Sequence, residues 1–77
     1  MILVTGATGF IGRHLVTELV ARGHVVRLLV PPQRLKHVTW DRDKVEVIEG
    51  TLQDEEAVYR AVSGVHVIYH LENALWW

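Results

Sequence analysis

Apolar residues fall in short blocks along this chain, and the period changes from block to block. Ile2 to Thr5 is an unalternating apolar run ended by Gly6, which predicts a strand buried on both faces. From Phe10 to Arg22 the apolar positions Ile11, Leu15, Val16, Leu19 and Val20 recur at helical spacing, with Arg13, Thr17, Glu18 and Ala21 on the other side. Gly23 then suits a left-handed helix cap. Val25 to Val30, VVRLLV, predicts a second buried strand stopped by Pro31 and Pro32. Gln33 to Lys44 is mixed and polar, and is expected to be loop with one helical turn. Within it, Trp40 is expected to pack over the second helix or a neighbour. Val45 to Glu49 predicts a third strand. Asp54 offers an N-cap with Glu55 and Glu56 in the first turn, and Val58, Ala61 and Val62 give that helix an apolar face up to Ser63-Gly64. Val65 to Tyr69, VHVIY, predicts a fourth strand, and the tail HLENALWW has no clear period.

Strands alternating with helices predict an α/β fold with a parallel sheet and right-handed crossovers. The expected architecture is half of a doubly wound Rossmann fold, with four strands in the order 3-2-1-4 and helices on both faces. Residues 1–71 form this unit, and 72–77 form a divergent apolar tail. The first strand-to-helix connection, TGATGFIG from Thr5 to Gly12, falls at the carboxyl end of the sheet, where ligands bind in such folds.

That connection carries the candidate chemistry. A chain that leaves a strand and enters a helix at once must turn tightly at Gly6. Gly9 lets backbone approach a pyrophosphate with no side chain between, and Gly12 lets the helix pack close to the strand. The anion would meet the N–H groups of Phe10 and Ile11, with Thr8 alongside, at the positive end of the helix dipole. The plainer alternative is a tight turn that binds nothing. The strand before the motif and the helix after it favour the phosphate loop.

Composition narrows the rest. The chain has 77 residues, no cysteine and a formal net charge of −1. A chain this short buries only about 60–65% of its unfolded surface, so self-association would help it. The charge leaves no footprint for nucleic acid or an anionic membrane, and the apolar start is too short for a span or a leader. The lack of cysteine suits a cytoplasmic setting and excludes thiol catalysis and thiolate zinc sites. His66 and His70 have no evident third ligand, so no metal is expected.

The stretch TGATGFIGRHLVTELVARGHVVRLLV resembles the N-terminus of the extended or atypical short-chain dehydrogenase/reductases, which include sugar-nucleotide epimerases and dehydratases. Thr5, Gly6, Gly9 and Gly12 match the family's TGxxGxxG loop. EGTLQDEEAVYRAVSGVHVIYHL resembles the family's next segment, a GDLxD turn, a helix and a strand closing in HLAA. The resemblance implies a dinucleotide cofactor, NAD or NADP. Members that use NAD carry an acid near the end of the second strand, but no Asp or Glu occurs between Glu18 and Asp41. Members that use NADP carry Arg there. Arg34 is near enough to meet a 2′-phosphate, so charge favours NADP, although Arg34 is otherwise a solvated loop residue. Where the family has GDL this chain has Gly50-Thr51-Leu52, leaving Thr51 a weaker hydrogen bond and Leu52 a packing surface for adenine. The HLAA-like loop reads His70-Leu71-Glu72-Asn73, with Leu71 retained and Glu72 in place of a small residue.

The family's Tyr-x-x-x-Lys pair is absent, since Lys36 and Lys44 both precede Tyr59 and Tyr69. No catalytic residue is therefore assigned. Three readings remain open. They are a dinucleotide-binding half-domain without catalysis of its own, a self-associating structural protein with an empty loop, and an oxidoreductase or epimerase subunit completed by a partner. VHVIY would be an apolar sheet edge, and with Leu75, Trp76 and Trp77 it predicts a homodimer through the fourth strand and the tail.

Overall fold

In the computed structural model, residues 1–72 are described. The elements are β1 (Ile2–Thr5), α1 (Phe10–Ala21), β2 (Val26–Val30), a 3-10 helix (Pro32–His37), β3 (Val45–Glu49), α2 (Glu55–Val62) and β4 (Val67–His70). The four strands form one parallel sheet in the order β3-β2-β1-β4. The predicted topology is therefore the observed one. No helix among the described residues is long and apolar enough to cross a membrane.

Adjacent residues of a strand point to opposite faces, so an unbroken apolar strand feeds two cores. On one face Val4, Val26, Leu28 and Val30 pack with Val16 and Leu19 of α1. On the other, Leu3 and Leu29 pack with Ala57 and Ala61 of α2. Small residues on α2 bring it close to the sheet, and a Cβ on Gly50 would lie 2.4 Å from the Ala57 Cβ. The two helices thus cover opposite faces, over β1, β2 and β3.

Helix ends follow their sequence signals. Asp54 accepts a hydrogen bond from the Ala57 N–H at 3.2 Å, as an N-cap does. Gly23 takes a φ of +83° after α1. The His24 N–H reaches Leu19 O at 3.1 Å, and the Gly23 N–H reaches Val20 O at 3.0 Å, which is the Schellman pairing.

Several expectations shift. Ile11 belongs to the helical stripe yet is 52% exposed, because it lines the open cleft beside the end of β2 instead of the core. Val62 is also exposed, and Ala57 takes its place in the core. β2 begins at Val26, with Val25 exposed before it. β4 begins two residues later than expected, because the Val65 N–H still closes a turn onto Val62 O after α2. The stretch after β2 forms a 3-10 helix over Pro32–His37, started by a proline whose missing N–H costs nothing there. Trp40 packs on the α1 side of the sheet instead of over α2, and its Nε1 donates to Thr17 Oγ1 at 3.1 Å. Leu75, Trp76 and Trp77 lie outside the described residues.

Arg27 was not singled out from sequence. It stands on the α2 face of β2, where its Nη1 donates to the carbonyls of Arg60, Ala61 and Ser63 at 3.1, 2.8 and 2.7 Å. Its Nε pairs with Glu46 on β3. One side chain thus closes the C-terminal end of α2 and ties it to two strands.

Candidate functional site

The glycine loop lies at the carboxyl end of β1 and forms one wall of a cleft of about 610 Å³. Residues 6–12 line it, together with Leu29, Val30 and Pro31 from the end of β2, Arg34, Leu71 and Glu72. The ten residues expected from sequence therefore divide cleanly. Gly6, Thr8, Gly9, Phe10, Ile11, Gly12, Arg34 and Leu71 meet in this cleft, whereas Thr51 and Leu52 line an adjoining hollow of about 280 Å³ with Gly50, Gln33 and Gln53. Leu29, Pro31 and Glu72 belong to both.

Each glycine has its own reason. Gly6 has a φ of +71°, and a Cβ there would lie 2.9 Å from the carbonyl carbon of Leu71. A Cβ on Gly12 would lie 2.1 Å from Gly6 O, so α1 could not approach the loop with any other residue at that position. Gly9 differs. Its φ is −78°, and a Cβ there would meet only Gly6 O, at 3.4 Å. The protein's own packing hardly requires a glycine at Gly9, whereas a ligand pressed against the backbone does.

The first intrahelical bond of α1 runs from the Arg13 N–H to Gly9 O at 2.9 Å. The N–H groups of Phe10, Ile11 and Gly12 precede it and form the donor end of the helix. No acidic residue occupies that first turn. The Phe10 side chain is 80% exposed and stands edge-on to the His14 ring, with centroids 4.8 Å apart. The arrangement suits an anion held by backbone, with large apolar side chains at the mouth.

Two arginines converge beside it. Arg34 Nε donates to Thr8 Oγ1 at 3.0 Å, and its Nη2 donates to Thr8 O, also at 3.0 Å. Arg13 Nη2 donates to the same carbonyl at 3.3 Å. Neither guanidinium pairs with a carboxylate among the described residues. Arg34 is thus a wall residue fixed on the loop, not a solvated one. Arg13 stays exposed on α1, as its place opposite the apolar stripe implies, while its guanidinium reaches back to the loop.

The two histidines weighed as a metal pair go separate ways. His70 Nδ1 lies 2.7 Å from Thr5 Oγ1, across the β1–β4 ladder, and His66 Nδ1 lies 3.5 Å from the chain's first amine. Among the described residues Tyr59 is largely exposed on α2, and Tyr69 sits on β4.

Comparison with known proteins agrees with this geometry. A 3β-hydroxysteroid dehydrogenase/Δ5→4-isomerase of Mycobacterium tuberculosis is 38% identical over 69 residues, which is 90% of this chain and 18% of that protein. A ceramide reductase of Caulobacter vibrioides is 39% identical over 75 residues, covering 97% of this chain and 23% of that one. Among solved structures, AtPrR2 with NADP+ and (+)-pinoresinol superposes with a TM-score of 0.77 at 28% identity, covering 90% of this chain and 24% of that one. The chain therefore spans a quarter or less of these relatives. A family model described as NAD(P)H-binding matches residues 6–72, from the first glycine of the loop to Glu72. With the cleft, the donor end of α1 and the glycine spacing all inside that match, the chain belongs to the NAD(P)H-binding family.

Proposed function

We propose that this chain holds NADP(H), in preference to NAD(H), as the cofactor-binding part of a dehydrogenase or reductase. The observation that carries the preference is the pair Arg34 and Arg13, both anchored on Thr8 at the cleft and both without a carboxylate partner among the described residues. A phosphomonoester on the adenosine ribose would give them one. The end of β2 offers no acid to receive a free 2′-hydroxyl. The relatives' names fit, since they include reductases, dehydrogenases and a structure holding NADP+. No group in this chain is assigned to proton transfer, and its role here is to bind and orient the cofactor. The absence of cysteine supports a cytoplasmic setting.

Calorimetric titration with NADP+ and NAD+ tests this. Charge-assisted bonds to one phosphate are worth about 1.5–3 kcal/mol, so NADP+ should bind roughly ten-fold or more tightly than NAD+. Arg34→Ala should remove most of that margin. Tighter binding of NAD+ would overturn the preference, and no binding of either at millimolar concentration would overturn the nucleotide reading itself.

A second reading concerns association. β4 is a sheet edge, with Val67, Ile68 and Tyr69 at 45, 52 and 38% exposure. Bare edge backbone beside apolar side chains supports pairing with a second copy. A monomeric mass in sedimentation at micromolar concentration would remove this reading.

A further inference from the structure

The two clefts share a wall, and that wall contains one polar side chain. A nucleotide is linear, with the sugar between phosphate and base. If the phosphates lie at the donor end of α1, and the base enters the adjoining hollow against Leu29 and Leu52, the sugar must pass the residues common to both. Those are Leu29, Pro31 and Glu72. Of the three only Glu72 can hydrogen-bond through its side chain.

Glu72 is held there by main chain. The Leu71 N–H donates to Thr5 O at 3.1 Å, continuing the ladder past β4, and the Glu72 N lies 3.0 Å from where a Gly6 Cβ would be. The residue is half-buried and has no ion pair with any other described residue. A partly desolvated carboxylate without a partner favours a ligand that brings donors. The sugar brings hydroxyls.

We propose that Glu72 is a specificity-determining residue that accepts a hydrogen bond from the 3′-hydroxyl of the adenosine ribose. A carboxylate at the end of β4 thereby does what none at the end of β2 is present to do. The 2′-position is left to Arg34 and Arg13, so the two walls read neighbouring oxygens of one sugar. This inference rests on the nucleotide reading above and goes further by naming the group recognised.

The test pairs a change in the protein with a change in the ligand. Binding of ADP and of 3′-deoxy-ADP is measured for the unaltered chain, for Glu72→Ala and for Glu72→Gln. The unaltered chain should prefer ADP by about ten-fold, the range of a charged hydrogen bond. In Glu72→Ala the preference should fall below about two-fold, and Glu72→Gln should keep part of it. A preference that survives Glu72→Ala, or an equal loss for both nucleotides, would overturn the assignment while leaving nucleotide binding intact. If the unaltered chain binds neither nucleotide, both the assignment and the nucleotide reading fall.

Discussion

β2 and β4 are both short, apolar and parallel, and they flank the same strand, β1. Their fates differ. Val26, Leu28, Leu29 and Val30 are at most 3% exposed, while every residue of β4 is exposed. Apolar content does not decide this, because VRLLV and VIYH are both mostly apolar. Position in the sheet decides it. β2 has a strand on each side, α1 over one face and α2 over the other. Among the described residues β4 has one neighbouring strand and lies beyond the reach of either helix's main packing surface. An apolar strand is therefore a request for cover, and topology determines whether it is met.

The contrast can be broken by substitution. Leu28→Ala, at 0% exposure, should cost about 2–5 kcal/mol in urea unfolding. A loss below about 1 kcal/mol would mean that the centre of the sheet is not packed as described. Next in size, Arg27→Ala removes the donors to three carbonyls at the C-terminal end of α2 and should cost about 1–3 kcal/mol. Because its partner Glu46 is half exposed, most of that loss should persist at high salt, and a loss abolished by salt would assign the effect to the ion pair instead.

Gly9→Ala separates folding from binding at the central loop. The added methyl meets little protein, so stability should change by under about 1 kcal/mol. Nucleotide affinity should drop roughly ten-fold, because the methyl stands where the phosphates approach. Equal effects on both would mean that the glycine serves the fold. Smallest of all, Ile68→Ala on β4 should shift stability by no more than about 0.5 kcal/mol in the monomer. A larger, concentration-dependent shift would show that a second copy covers the edge.

Sequence made much of this legible. Continuous apolar runs marked β1 and β2, and turn residues marked where helices stop, because these signals are local. The loop was legible from glycine spacing between a strand and a helix. What could not be read depends on chain segments meeting across the fold. Arg27 caps α2 only because β2 lies beneath that helix's end. Arg13 reaches Thr8 because α1 starts so close to the loop, and Trp40 chose α1 through Thr17, far away in sequence. Thr51 and Leu52 line a second hollow, which adjoins the first along Leu29, Pro31 and Glu72, and that division depends on residues far apart in sequence.

The pairing of the first strand with the last has a consequence for synthesis. Thr5 meets His70 in the ladder, and the Leu71–Glu72 peptide fills the space left by the absent Gly6 side chain. A ribosome that has made the whole glycine motif has therefore not yet made the surface that holds it in shape. The nascent loop stays incomplete until residues 70–72 clear the exit tunnel, and non-local closure of this kind is slow. Nucleotide affinity gained during translation should thus arrive late and in one step, once residue 72, the last of the family match, has emerged.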